Sequence, residues 1–444
     1  VKVLLLSPAY PPQQVVGALR AGNLVRAFLD AGHEVTVLAE QRSDGPGEPD
    51  PLGSRPRIVP VPMGAPFAKR LHGLLGSLRP AKRSVRNGSM ESPRGTASRE
   101  SGESPGALRQ FGRAVLSVPD WDQHMILPLV RAGRQVLTEG VDLIYSTAPP
   151  FSGHVAGLLL RELTRTPWVA EFRDPWNHPW SDRLAPRHPA TRGLDALLER
   201  WVLRRADAVV AVTEAARGLL ASRLPPDRQV KVLLARNGIP GATVTDSPPL
   251  IRGAGPFTIL YAGSLYMGRD PVRFLEGLAR FIAVRQLRPG DLQVRFIGRC
   301  SEFENASVAG LAERLGLTGY LHVEDWVPFE EIGKLTRSAD VLLLFAQKQP
   351  LQVPNKVYEY IAAGTPILGF VDREGESARL LRDSGGTELL FDPDAAEVSS
   401  ALERLYDARD AHPERRPPPR ELRTDVQLGN LVEELTRRFN PRVR

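Results

Sequence analysis

Glu359 is the carboxylate whose setting in this chain most favours recognition chemistry. It lies within Pro354 to Pro366, PNKVYEYIAAGTP, between two apolar runs that read as buried strands, Val341 to Phe345 and Ile367 to Val371. Pro354 suits a first helical turn, and Gly364 followed by Pro366 supplies a stop, so the segment predicts a short helix between strands. At helical spacing Val357, Tyr360 and Ile361 share one face, which leaves Glu359 on another. A carboxylate fixed near the C-terminal ends of parallel strands is placed to accept two hydrogen bonds from a ribose diol. The bland alternative is a solvated surface glutamate.

The elements that must position it alternate strand and helix along most of the chain. Val3 to Leu6, Ala21 to Ala31 and His33 to Leu38 read as an opening βαβ unit, with Gly32 ending the helix. The loop Tyr10 to Gly17 runs from a strand end into a helix N-terminus, where backbone N–H groups meet phosphate. It lacks a GxGxxG fingerprint, which argues against a nicotinamide or flavin site. Strands follow at Val141 to Ser146, Trp168 to Phe172, Ala208 to Val212 and Val230 to Leu234, separated by helices at His154 to Thr164, Leu194 to Arg205 and Glu214 to Leu220. Thr245 to Pro256 is a polar linker rich in Pro and Gly. A second βα series opens at Phe257 to Gly263, with a helix at Pro271 to Arg285 and strands at Gln293 to Ile297, Leu321 to Val323, Val341 to Phe345 and Ile367 to Val371. The pattern predicts an α/β protein of two doubly wound, Rossmann-like domains, 1–245 and 257–420, facing across a cleft that holds the ligands at the carboxyl ends of both sheets. Residues 421–444 carry a closing helix expected to pack back towards the first domain.

Composition narrows the classes. At 444 residues with 42% hydrophobic and 25% charged residues, the chain has material for two cores. Its single cysteine, Cys300, excludes an intrachain disulfide and any multi-cysteine metal site, and suits a reduced cytosol. The apolar run Val1 to Leu6 is too short for a signal peptide, and no stretch is long enough to cross a bilayer. The net charge of +7 is concentrated: Phe67 to Val118 holds ten basic and three acidic residues. No aromatic interleaving or nucleic-acid motif accompanies that charge, so nucleic acid is not an expected partner. Within it, Leu71, Leu74, Leu75 and Leu78 form one stripe of a basic amphipathic helix, which either lies on an anionic membrane surface through 67–86 or caps the core. Asn87 to Gly106 reads as a mobile insertion, since it is rich in Ser, Gly, Glu and Arg without periodicity. The expected location is cytoplasmic, peripheral at the inner face of the membrane.

Four signals in order, YPP…G…R followed by GHEVTVL, then EFRDPW, YAGSLYMGRDP and PNKVYEYIAAGTP, make the chain resemble a glycosyltransferase of the GT-B fold, similar to the family 4-like retaining enzymes. The resemblance implies an acceptor-binding first domain and a second domain for a nucleotide-sugar donor. It places Gly17, Gly263, Ser264, Arg269, Asn355, Lys356 and Glu359 at the donor. Arg269 stands where relatives place a basic residue on the donor pyrophosphate, and its guanidinium donates a fork of charge-assisted hydrogen bonds; pairing with Asp270 is the alternative. Two departures stand out. Relatives carry a basic residue directly after the strand-end glycine, here Ser264, and an acid eight residues before the ribose-binding one, here Leu351. Lys356 either supplies the missing phosphate charge or pairs with Glu359 at i,i+3.

In the first domain, Arg173 and Asp174 occupy the region where relatives place a sugar-contacting histidine, with His178 four residues on. Asp174 is assigned to orient or deprotonate an acceptor hydroxyl, and Arg173 to hold a sugar hydroxyl or phosphate. The structural alternatives are a turn cap by Asp174 and an Arg173–Glu171 pair. His154 reads as structural. No HxxH or cysteine cluster calls for a metal, and neither metal nor cofactor is expected; basic side chains and helix N-termini stabilise the departing nucleoside diphosphate. The resemblance implies transfer, with retention, to a glycan, a lipid-linked glycan or another cell-surface polysaccharide precursor. A nucleotide-sugar epimerase of the same architecture and a non-catalytic nucleotide-sugar-binding protein are the competing readings.

Overall fold

The computed structural model describes residues 1–13, 15–40, 56–62, 118–178, 191–239, 255–266, 268–384, 387–409 and 418–440. The basic segment 67–118, with its amphipathic helix and insertion, lies outside the described residues, as does most of the 245–256 linker. The chain forms two compact units. The first takes Val1–Ala211, Leu220–Leu233 and Val432–Arg444, and the second takes Val212–Leu219 and Leu234–Leu431.

In chain order the first half runs β1 (Lys2–Leu6), α1 (Val16–Asp30), β2 (Glu34–Glu40), β3 (Arg57–Val61), α2 (Ile126–Leu137), β4 (Leu143–Ala148), α3 (Ser152–Thr164), β5 (Trp168–Phe172), α4 (Arg192–Arg205), β6 (Ala208–Ala211), α5 (Glu214–Ser222) and β7 (Val232–Leu234). Its sheet has the order β3-β2-β1-β4-β5-β6-β7, so the direction of winding reverses between β1 and β4. Strands β3 through β6 pair in parallel, with Leu5 opposite both Val37 and Tyr145. Every residue of β4, β5 and β6 is buried, which explains why these strands read as unbroken apolar runs: helices cover both faces. Helix α1 begins at Val16, earlier than the expected Ala21, so Gly17 belongs to its first turn rather than to the preceding loop. The apolar spacing that was legible starts only once the helix meets the core, at Ala18, Ala21, Leu24 and Phe28.

The second half runs β8 (Phe257–Ala262), α6 (Val272–Arg285), β9 (Leu292–Ile297), the hairpin β10 (Glu302–Phe303) and β11 (Ala306–Ser307), α7 (Val308–Arg314), β12 (Leu321–Glu324), α8 (Phe329–Ser338), β13 (Val341–Ala346), α9 (Asn355–Ala363), β14 (Ile367–Val371), α10 (Glu376–Ser384), β15 (Thr387–Leu390), α11 (Ala395–Asp407) and α12 (Thr424–Phe439). Its sheet, β12-β9-β8-β13-β14-β15, is parallel throughout, with its reversal between β8 and β13. Alternation along β13 feeds two cores. Leu343 and Phe345 join Phe274, Phe296 and Phe370 on one face, while Leu342 and Leu344 join Val357, Tyr358 and Tyr360 on the other. Burying α9 in this second core fixes its rotation and hence the direction of its remaining side chains. Pro354 is the N-cap of α9 rather than part of its first turn, with ψ of 139°; its carbonyl accepts from the amide of Val357 at 2.9 Å, a role that needs no N–H of its own. Gly364 closes the helix at φ 64°, the left-handed conformation that glycine adopts without strain. The closing helix starts at Thr424 after a 3₁₀ turn at Arg420–Leu422, and from Val432 onward it groups with the first unit.

Candidate functional site

The carboxyl end of β8 gathers most of the second unit's expected site residues. Gly263 has φ of 144°, a conformation costly for any other residue, and a Cβ there would lie 2.6 Å from Nζ of Lys356. The missing side chain therefore leaves room for an ammonium. Lys356 sits on the first turn of α9, its Nζ 3.8 Å above the ring of Tyr261 and without a hydrogen-bond partner, although the atom is buried. The Lys356–Glu359 pair does not form; α9 turns the lysine towards β8 instead. Burial first, and the Arg269 charge second, hold the Lys356 ammonium well below its ordinary value of 10.5, with Cys300 and Glu359 pulling the other way.

Arg269 stacks 4.2 Å over the ring of Tyr266, and its Nη1 donates to the carbonyl of Ser264 at 3.4 Å. Its Nε is buried without a partner. Asp270 does not neutralise it, since Asp270 accepts from the amide of Val272 at the start of α6. The Ser264 carbonyl also accepts from the hydroxyl of Tyr261 at 2.8 Å, which fixes the turn carrying both cations. Two basic side chains thus converge on a glycine turn, and neither makes an ion pair among the described residues. Glu359 lies one turn further along α9, half-buried; burial pushes its carboxyl up, and Lys356 partly offsets this. Asn355 opens the helix. The ring of Tyr261 beneath Lys356, and the hydroxyl of Tyr360, which accepts from the amide of Ala262 at 3.2 Å, were not anticipated as site groups. An aromatic residue at a strand end and the EYIAAG run were their only sequence signals.

Cys300 is inert by position. Its thiol donates to the Gly263 carbonyl at 3.2 Å, and burial pushes it up to about 12. Leu351 contributes its carbonyl, not a carboxylate, accepting from Thr213 at 2.6 Å.

In the first unit the strand ends carry a separate charge cluster. Glu171, fully buried at the end of β5, accepts from Nε and Nη2 of Arg20 at 3.2 and 2.8 Å, from Tyr145 at 3.1 Å and from Thr147 at 2.7 Å. Burial raises its carboxyl, but the Arg20 charge and these hydrogen bonds more than offset that, leaving it below the usual carboxylate range. The alternative of an Arg173–Glu171 hydrogen-bonded pair is not what forms: Arg20 of α1, the arginine of the YPP…G…R signal, is the partner of Glu171. Arg173 donates to the carbonyls of Ala148 and Pro149, and its guanidinium lies so close to Gly17 that a Cβ there would overlap it. Gly17 thus lies against Arg173 within the first unit. Burial lowers the Arg173 guanidinium, with Glu171 and Asp174 opposing. Asp174 and His178 are half-buried just beyond the strand end. His154 is fully buried, its Nδ1 2.8 Å from Ser146 Oγ, and burial lowers it to about 3, so it packs as a neutral ring. Among the described residues no group of three or more His, Cys, Asp or Glu is arranged to hold a metal ion.

Comparison with known proteins agrees with this division. A family model described as a glycosyl transferase 4-like domain matches residues 17–235, and one described as glycosyl transferases group 1 matches residues 256–408. No curated protein sequence matches the chain. Among solved structures, a glycosyltransferase from Rickettsia africae superposes with a TM-score of 0.59 at 12% identity, covering 98% of this chain and 97% of that one. Sucrose-phosphate synthase from Thermosynechococcus elongatus gives 0.59 at 16% identity, with 98% of each chain covered. Anabaena HepE in complex with UDP and glucose gives 0.55 at 14% identity, covering 99% of this chain and 95% of that one. At these identities the structural likeness shows the shared fold.

Proposed function

The chain belongs to the glycosyltransferases that join a 4-like domain to a group 1 domain, and on that footing we propose that it moves a sugar from a nucleoside-diphosphate sugar to a glycan or lipid-linked glycan, with retention of configuration. The observation that carries the donor half is the buried, unpartnered ammonium of Lys356 beside Gly263. A buried charge without a counter-charge is costly, and a diphosphate supplies two charges and several acceptor oxygens. Lys356 and Arg269 hold the departing diphosphate, so the negative charge that grows on it as the glycosidic bond breaks is met by groups already in place. Lys356 thereby does the work of the basic residue absent at Ser264. Glu359 accepts from the ribose hydroxyls, and Asn355 lies beside it at the helix N-terminus. Binding of UDP by a structural neighbour supports this class of donor.

Arg173 and Asp174 are assigned to the acceptor side, Arg173 to hold a hydroxyl or phosphate and Asp174 to orient the attacking hydroxyl. Gly17 lets the guanidinium lie against the first turn of α1, where backbone N–H groups favour an anion. The basic segment 67–86 is assigned to an anionic membrane surface at the cytoplasmic face, where a lipid-linked polysaccharide precursor would be met. No resident metal or cofactor enters the scheme.

Calorimetric titration with nucleoside diphosphates tests the donor site. Lys356→Met should weaken binding roughly 10- to 100-fold, as expected for loss of a charge-assisted hydrogen bond. Wild-type affinity in that variant would overturn the assignment.

A further inference from the structure

Helix α4 buries both of its acids and exposes several large apolar residues. Its acids face inward: Asp195 is 1% exposed and accepts from Trp176 Nε1 at 3.1 Å, and Glu199 is 3% exposed, accepting from Asn177 at 3.0 Å and pairing with Arg223. Val202 and Leu203 are buried as well, yet three of its large apolar residues face outward. Leu194, Leu197 and Trp201, at i, i+3 and i+7, form one stripe and are 43, 51 and 54% exposed. Arg200, Arg204 and Arg205 are exposed along the same helix, and Lys231 donates to the carbonyls of Arg204 and Ala206 at its C-terminus.

The neighbouring helix continues the pattern. On α3, Leu159 and Leu163 are 38 and 58% exposed at i and i+4. Arg205 of α4 reaches Glu162 of α3 at 3.5 Å, so Leu163 and Trp201 flank one bridge on adjoining helices. Glu162 is itself held by Arg161 at 3.1 Å, and Arg165 is exposed beyond it. Helix α2, which packs on α3, adds exposed Leu127, Arg131 and Arg134 and contains no acid. Exposed leucines and a tryptophan beside arginines thus recur on three adjoining helices, and such a patch calls for a covering partner.

We propose that the outer face of α2, α3 and α4 docks on an anionic lipid bilayer. Leucine and tryptophan side chains enter the headgroup boundary while the arginines meet lipid phosphates. The charge pattern favours this occupant over a second copy of the chain, because two such faces brought together would oppose arginine to arginine. The inference does not depend on the nucleotide-sugar reading or on the segment 67–86, and neither the stripe nor its arginines belong to the candidate site.

Vesicle co-sedimentation of the full chain tests it, using phosphatidylcholine with and without phosphatidylglycerol. The protein should partition onto the anionic vesicles only. Replacing Arg200, Arg204 and Arg205 together by Gln should lower the partition coefficient roughly 100-fold, at about 1 kcal/mol per arginine. Trp201→Ser should lower it roughly tenfold, with the unfolding temperature and nucleotide binding unchanged. Both effects should persist when Lys69, Arg70, Arg79, Lys82, Arg83 and Arg86 are replaced by Gln. No partition onto anionic vesicles, or partition insensitive to the α4 substitutions, would overturn the proposal. So would a concentration-dependent dimer that Trp201→Ser abolishes, which would give this face to a second copy.

Discussion

Lys356 concentrates the physical tension of the second unit in one atom. Its ammonium is buried without a hydrogen bond and held below 10.5 by burial and by Arg269. The unfolded chain binds the proton more tightly than the folded chain, so stability rises with pH between the depressed folded value and 10.5 and carries its full deficit below that window. Lys356→Met should therefore be more stable than the parent at low pH. The advantage should shrink as pH rises towards 10.5. Urea unfolding at a series of pH values checks this, and a difference that does not vary with pH would mean that the lysine is solvated. Glu359 was the residue that sequence brought forward, but the structure gives it a quieter place. Half-buried and raised by its surroundings, it has no hydrogen bond among the described residues and is poised for a neutral diol rather than for a charge.

Helix α9 was legible because its signals are local: a proline before it, a glycine after it and an apolar face between. How it attaches to β8 was not, because that depends on contacts about 100 residues apart in sequence, such as Tyr360 accepting from the amide of Ala262. This bond joins the helix that carries Lys356 and Glu359 to the strand that ends in Gly263. Tyr360→Phe should keep the fold while leaving that amide without its partner, at about 1–2 kcal/mol of stability. Because it also loosens the spacing between α9 and the glycine turn, the Michaelis constant for the donor should rise several-fold with little change in kcat. A change confined to thermal stability would show that the bond holds the helix without positioning the site. The same limit explains Arg20. The YPP…G…R signal marks it, but its partner is not local: Glu171, some 150 residues away, makes it half of a buried ion pair.

At the scale of the whole chain, two parallel sheets with a winding reversal in each were readable, because buried parallel strands leave unbroken apolar runs. Helices α2, α7, α8, α10 and α11 and the edge strands β3 and β15 were not read from the sequence; the two edge strands are only five and four residues long. The charge balance of the site follows the same architecture: the second unit presents two unneutralised cations at its strand ends, and the first presents Arg173 and Asp174 at its own. A protein that only rearranged or hydrolysed its donor would need the first of these clusters together with a base acting on the sugar itself. Arg173 and Asp174 are instead suited to a second molecule, one bearing a hydroxyl that is oriented and made nucleophilic. Nucleotide sugar incubated with the protein alone should thus persist, and nucleoside diphosphate should be released rapidly only when a glycan or lipid-linked acceptor is added. EDTA should leave that release unchanged if, as proposed, Lys356 and Arg269 hold the diphosphate. Chromatography of the nucleotide pool distinguishes the outcomes: conversion of the donor to an epimer without acceptor would assign the chain to the rearranging class. Arg173→Ala should slow acceptor-dependent release at least tenfold while leaving diphosphate affinity intact, and an equal loss of both would place the arginine on the donor.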